Sequence, residues 1–105
     1  MSWFYLIIAG AFEIGWPLGF KLSQTTPYKV PWIAFSVLAM ALSGLFLYLA
    51  QKTIPMGTAY AVWTGIGAVG AFTAGVLFFK DPATLMRVVS VMLIIAGIVG
   101  LKLAD

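Results

Sequence analysis

The sequence predicts an all-α membrane protein with four transmembrane helices per subunit, and two observations support this fold class. Of the 105 residues, 63% are hydrophobic and only 9% are charged, with a mean hydropathy of +1.08. A soluble domain has about 45–50% apolar and about 25% charged residues, so this chain cannot cover a surface that faces water. In addition, the charged residues divide the chain into four apolar runs, each close to the length of about 20 residues that a helix needs to cross a bilayer.

The four runs form one predicted transmembrane domain that takes in residues 1–105, with helices at residues 3–20, 30–50, 54–79 and 85–104. The runs are continuously apolar instead of alternating in polarity, which favours helices over the strands of a membrane barrel. Polar segments at residues 23–27 and 53–57 and the pair Asp81-Pro82 are predicted to be turns. Connections this short make neighbouring helices antiparallel and leave no room for a soluble domain.

The composition also excludes several classes of function. The chain has no Cys and no His, which excludes thiol catalysis, disulfides, thiolate or imidazole metal sites and Ser-His-Asp chemistry. We therefore expect no enzyme activity, no metal and no cofactor. The net charge of +3 comes from six basic residues spread along the chain. They form no patch, so the predicted surroundings are a lipid bilayer and not nucleic acid.

Glu13 is the only carboxylate inside an apolar run, and it lies near the centre of the first predicted helix. An acid at the bilayer centre costs about 2.5–3.5 kcal/mol, which makes a functional role the default interpretation. The structural alternative is an ion pair, but no Lys or Arg lies in the middle of any run. An unpaired buried carboxylate lowers its energy by holding a proton or a cation. Because the two exclude each other at one site, this residue predicts an antiporter.

Helical spacing places Gly10, Trp16 and Pro17 on the same face as Glu13. We expect Gly10 to leave open space beside the carboxylate and Trp16 to supply an aromatic wall. Pro17 has no N–H to donate to the carbonyl of Glu13, so a bend is predicted there. The alternative for Trp16 is a place in the aromatic belt at the membrane surface, which its position in the middle of the run argues against.

The third run places Tyr60, Trp63-Thr64 and Gly67 on one helical face, which combines a phenol, an indole and a hydroxyl with glycine. Gly65 and Gly67 lie so close together that they predict a hinge. For these residues the alternative is helix packing through small and polar side chains.

The second run contributes two serine hydroxyls at membrane depth, Ser36 and Ser43, for which packing is again the alternative. In the first run, Gly15 and Gly19 match the G-x-x-x-G motif on a side away from Glu13. That motif favours close packing of two helices.

These residues resemble the small multidrug resistance family over essentially the whole chain. The triplet Gly10-x-x-Glu13-x-x-Trp16 is similar to the family's first helix, and PMGTAYAVWTGIGAVG at residues 55–70 looks like its third helix. The ending GIVGLKL at residues 97–103 is also similar. The Trp three residues after the Glu resembles the guanidinium-exporter branch of the family. Pro17 departs from the family pattern, which has a small residue other than proline at that position.

The resemblance implies subunits of four helices that pair as antiparallel homodimers and export cations against protons. It implies that Glu13 binds the proton and the substrate, that Gly10 gives room, and that the supporting residues are Trp16, Ser43, Tyr60 and Trp63. The expected partners are then protons, a guanidinium-like cation and a second copy of the chain, in the inner (cytoplasmic) membrane. Guanidinium suits a carboxylate beside aromatic rings because its planar N–H fork matches the carboxylate and its face stacks on rings.

The distribution of basic residues agrees with insertion in both orientations. Four lie on one predicted side and two on the other with the amino terminus, a small bias for a rule that sets topology. These are Lys21, Lys29, Lys80 and Arg87, against Lys52 and Lys102.

Two alternative functions compete with guanidinium export. A broad exporter of quaternary ammonium compounds would use mainly the aromatic walls, because such ions have no N–H fork. A proton-conducting rotor subunit is also small and also carries one intramembrane acid, but it has no need of the neighbouring indole and phenol groups.

Overall fold

The computed structural model describes residues 1–104, and these form four α-helices. The helices are α1 (Ser2–Thr25), α2 (Lys29–Ala50), α3 (Met56–Phe79) and α4 (Leu85–Ala104). They contain 24, 22, 24 and 20 residues. At a rise of about 1.5 Å per residue, such helices are about 30–36 Å long, which matches a hydrocarbon core of about 30 Å. All four are long and apolar enough to cross a membrane, and the predicted all-α membrane fold is confirmed.

The first helix is longer than predicted. It does not end at Phe20, and the predicted turn at residues 23–27 is wrong for its first three residues, which are helical. The Ser23 hydroxyl donates to the carbonyl oxygen of Phe20 at 2.6 Å, so it bonds back to its own helix instead of ending it. The helix ends where Thr26 becomes extended, directly before Pro27. A residue that precedes proline is disfavoured in the helical conformation, so Pro27 fixes this boundary.

The four helices form a flat layer. The principal extents are 44 × 34 × 16 Å, so the thinnest dimension is less than two helix diameters of about 10–12 Å. Helix α1 lies between α2 and α3, α4 packs against α3, and α2 and α3 touch only slightly. No residue of α4 is buried. One chain therefore leaves long apolar surfaces for lipid or for another copy.

Glycines set the close contact between α1 and α2, as the G-x-x-x-G motif predicts. A Cβ atom added at Gly15 would lie 3.3 Å from the Cβ of Ala39. At Gly19, an added Cβ would overlap the hydroxyl oxygen of Ser36 and lie 3.1 Å from the carbonyl oxygen of Trp32. The absence of side chains at these positions brings the α2 backbone and its serine against α1.

Three glycines of α3 face three different neighbours. An added Cβ would lie 2.9 Å from Ile98 of α4 at Gly65, would overlap Ile14 of α1 at Gly70, and at Gly67 would press on Glu13. Helix α3 runs unbroken through these positions, and no glycine in residues 1–104 has a positive φ. The pair predicted as a hinge therefore serves close packing in this conformation.

Candidate functional site at Glu13

Glu13 lies halfway along α1 and is half-buried. It faces an open groove of about 300 Å³ on the flat layer. Residues of α1, α2 and α3 line this groove, namely Glu13, Trp16, Met40, Gly44, Leu47 and Trp63. The carboxyl group is the only ionisable group among them, so it dominates the electrostatics of an otherwise apolar and aromatic surface.

The two oxygens of the Glu13 carboxyl group have different surroundings. Oε1 accepts a hydrogen bond from the indole Nε1 of Trp16 at 2.7 Å and lies 3.5 Å from the Ser43 hydroxyl. Within residues 1–104, Oε2 accepts no hydrogen bond. Because no buried side-chain oxygen among these residues lacks a partner, Oε2 is accessible from outside the protein. One oxygen is thus held by the protein, while the other is free for a proton or a ligand in the groove.

Ser43 connects all three helices at the site and is 1% exposed. Its hydroxyl accepts a hydrogen bond from Nε1 of Trp63 at 2.8 Å and donates to the carbonyl oxygen of Ala9 at 2.8 Å. A hydroxyl has only one proton to donate. The shorter contact to Ala9 therefore takes that proton here, and the longer contact to Glu13 is an alternative that a rotation of the hydroxyl would strengthen.

Glycine supports Glu13 at a different place from the one predicted. The space beside Gly10 is not open, because Ile66 of α3 fills it: an added Cβ at Gly10 would lie 2.6 Å from the Ile66 side chain. The expectation of free space there is wrong for this chain. Instead, Gly67 lets the α3 backbone approach the methylene groups of Glu13, since an added Cβ at Gly67 would lie 2.6 Å from Cγ and 3.8 Å from the carboxyl carbon.

Tyr60 does not line the groove, but it contacts Trp63, which does. Its ring centroid lies 5.4 Å from that of Trp63, with the planes tilted by 51°. The Tyr60 side chain is 56% exposed and is not among the groove residues. The structure therefore places Glu13, Trp16, Ser43 and Trp63 together, while Tyr60 is joined to them through the Trp63 ring.

Sequence reasoning missed the wall that α2 contributes. Met40, Gly44 and Leu47 line the groove, and their spacing of three and four residues is that of one helical face. An added Cβ at Gly44 would meet nothing within 4 Å, unlike the packing glycines of α1 and α3. Met40 lies three residues before the candidate Ser43 and Leu47 lies four residues after it, so this spacing was a signal for the wall.

The arrangement is suited to an organic cation. Trp16 and Trp63 present aromatic rings beside a carboxylate, and rings of this kind attract cations through their negative faces. Among the described residues, no Lys or Arg contacts Glu13, so its charge is available to a ligand. The groove is open on one side of a layer 16 Å thick, so this chain alone does not enclose a ligand.

Comparison with known proteins gives matches over the full length. The family model described as Small Multidrug Resistance protein matches residues 1–94. A protein of Yersinia pseudotuberculosis serotype I named guanidinium exporter is 48% identical over 105 residues, which cover 100% of both chains. A guanidinium exporter of Salmonella typhimurium is 47% identical over 104 residues, which cover 99% of this chain and 98% of that one.

Replacing Ser43 with Ala should destabilise the fold. The indole N–H of Trp63 would lose its acceptor in a half-buried position, at a cost of about 1–3 kcal/mol. Unfolding in mixed detergent micelles measures this. The matched control is Ser23→Ala, because Ser23 is also buried but its hydroxyl bonds to its own helix. Equal unfolding free energies for the two variants would contradict the assigned network.

Proposed function

The chain belongs to the small multidrug resistance family, and we propose that it exports guanidinium-type cations across the inner (cytoplasmic) membrane in exchange for protons. The observation that supports this most directly is the free Oε2 of Glu13 in a groove walled by Trp16 and Trp63. The proposed function is transport, and we propose no enzyme activity for this chain.

The shape of guanidinium fits this site. Its planar fork of N–H groups pairs with both oxygens of a carboxylate, and its face stacks on aromatic rings. Oε2 of Glu13 is free to accept such a bond, and Oε1 retains a lone pair beside its bond from Trp16. The relatives with 47–48% identity are named guanidinium exporters, which agrees with this choice over a cation that lacks N–H groups.

Proton coupling follows from the use of one carboxyl group for both ligands. Protonated Glu13 has no charge with which to hold a cation, and a bound cation opposes protonation. Each exchange of a proton for a cation therefore takes place at one residue. Within residues 1–104, no Lys or Arg contacts Glu13, so no protein cation neutralises its charge. The carboxylate is therefore stabilised by binding either a proton or a cation.

We further propose that the working unit is an antiparallel homodimer. The flat layer exposes both the groove and the whole of α4, and a second copy inserted upside down would cover the groove and add its own Glu13. Inverted symmetry of this kind is what a transporter needs to present one site alternately to the two sides. Two carboxylates would then face the same cation.

Replacing Glu13 with Gln should abolish exchange of guanidinium for protons. The variant keeps the shape of the side chain but loses its charge, and guanidinium affinity should fall by about 30-fold or more. The measurement is proton movement driven by guanidinium in vesicles, with a tetraalkylammonium ion in parallel. The control is Asp81→Asn, a carboxyl-to-amide change at an exposed position. Exchange by the Gln variant would refute the mechanism, and a preference for tetraalkylammonium would favour the quaternary ammonium exporter.

Guanidinium binding should weaken as the pH falls. Protons convert Glu13 to its neutral form, so apparent affinity should drop by up to about tenfold per pH unit for each proton displaced. Tryptophan fluorescence can follow binding, because Trp16 and Trp63 line the groove. A guanidinium affinity that does not change with pH over the whole range in which the protein stays folded would mean that the proton and the cation do not share Glu13.

Labelling of introduced cysteines tests the orientation of the subunits. The chain has no Cys of its own, and two exposed glutamines lie at opposite ends of the layer, Gln24 in the last turn of α1 and Gln51 directly after α2. Insertion in both orientations predicts that Gln24→Cys and Gln51→Cys are each labelled from both sides of the membrane. If each were labelled from one side only, and from opposite sides, the subunits would all share one orientation.

A further inference from the structure

We propose that Ser36 is a positioning residue of the Glu13 site, which acts through Trp16 and rests on the proposed function. Ser36 lies on α2, is 0% exposed and does not line the groove. Its hydroxyl donates a hydrogen bond to the carbonyl oxygen of Trp16 on α1 at 2.8 Å. The side chain of that same tryptophan donates to Glu13, so Ser36 is two contacts away from the carboxylate.

The Trp16 carbonyl belongs to the peptide bond before Pro17, in the turn where α1 lacks one backbone hydrogen bond. Pro17 follows directly and has no N–H, so the carbonyl of Glu13 lacks the donor that an ordinary helix supplies, and the proline ring crowds that carbonyl. Helix α1 nevertheless continues through Pro17 without a break. A hydrogen bond from a neighbouring helix to the residue before the proline holds the backbone where its own bonding is incomplete.

The structure makes room for this bond at one position. Gly19 lies one turn beyond Trp16, and any side chain there would occupy the place of the Ser36 hydroxyl. Ser36 and Gly19 thus form a matched pair, in which one residue supplies the donor and the other allows its approach. A buried hydroxyl that found no acceptor would be costly, so this geometry fixes the distance between α1 and α2 at Trp16.

A second serine holds α1 on the other side of Glu13. Ser43 donates to the carbonyl oxygen of Ala9, and Ser36 donates to that of Trp16. The two donors are seven residues apart on α2 and the two acceptors seven apart on α1. Glu13 lies between these two fixed points. Ser43 also contacts the carboxyl group, whereas Ser36 acts only on the backbone, so its effect must pass through Trp16.

The bond from Trp16 to Glu13 depends on this placement. At 2.7 Å it is a short hydrogen bond to a carboxylate, and such bonds weaken steeply with distance and angle. Phe20 packs against the indole in a T-shaped arrangement, with ring centroids 5.8 Å apart and planes at 74°. A shift of about half an ångström in the Trp16 backbone is enough to impair a site of this kind.

The proposal predicts that Ser36→Ala weakens guanidinium binding through Trp16. Affinity should fall about threefold to tenfold, the range expected from partial loss of one hydrogen bond. In a double-mutant cycle, Trp16→Phe removes the indole N–H. Added to Trp16→Phe, the Ser36→Ala change should weaken binding by less than about twofold, because the link it acts through is already gone. Ser23→Ala, which removes a buried hydroxyl bonded to its own helix, should leave affinity unchanged.

A spectroscopic signature separates positioning from general packing. The indole N–H resonance of Trp16 in ¹⁵N-labelled protein reports its bond to Glu13, and Ser36→Ala should shift it while that of Trp63, bonded to Ser43, stays in place. Ser36→Cys keeps the shape of the side chain and a weak donor, on a somewhat larger atom. Its guanidinium affinity and its Trp16 resonance should lie between those of the unaltered protein and those expected for Ser36→Ala. This variant keeps the test available if Ser36→Ala does not assemble.

Any one of three results would overturn the proposal. The first is an unchanged guanidinium affinity in Ser36→Ala, and the second is a double variant whose loss of affinity equals the product of the two single losses. The third is a Trp16 indole resonance that does not move in Ser36→Ala. If the unaltered protein binds no guanidinium, the proposed function fails instead. The resonance measurement still tests the connection from Ser36 to Trp16 in that case, so the two failures are distinguishable.

Discussion

A single carboxylate in the middle of a membrane-spanning helix, without a basic partner among the described residues, is the constraint on which the site depends. A membrane offers no water to solvate it, and the chain supplies only partial compensation. One oxygen of Glu13 receives an indole N–H and lies near a serine, while the other is left without a protein donor. The hydrogen bond to Oε1 stabilises the carboxyl group inside the membrane, while Oε2 keeps its capacity to accept a bond from a ligand.

Helix α1 is the element that the rest of the layer is built against. Two serines of α2 donate to its backbone on either side of Glu13, and Gly67 of α3 brings a second backbone against the Glu13 side chain. These contacts use small residues, as expected where lipid provides no hydrophobic force to press helices together. These contacts close one side of the site, and the groove leaves the other side open. In the proposed dimer, a second copy with its own carboxylate covers that open side.

Glycines illustrate how one residue type serves different ends in this chain. Gly10 shares a helical face with Glu13, which suggested free space, yet Ile66 from another helix occupies that space. The sequence around Gly44 does not predict a groove, yet Gly44 lines one, and an added Cβ there would meet no neighbour within 4 Å. Whether a glycine makes a cavity or closes one depends on what a different helix places opposite it. Periodicity within one helix contains no information on that partner.

The sequence by itself determined the number of helices, their membrane-spanning character and the position of Glu13 in the middle of the first one, because each follows from composition and from spacing within one segment. Trp16 was assigned to the same face for the same reason, since three residues make nearly one helical turn. Only the tertiary structure decided which side chains from other helices meet them. The bond from Trp63 to Ser43, the filling of the space beside Gly10 and the contact of Ser36 with α1 all depend on the relative depth and rotation of neighbouring helices. Those quantities are set by packing between segments far apart in the chain, so no local pattern records them.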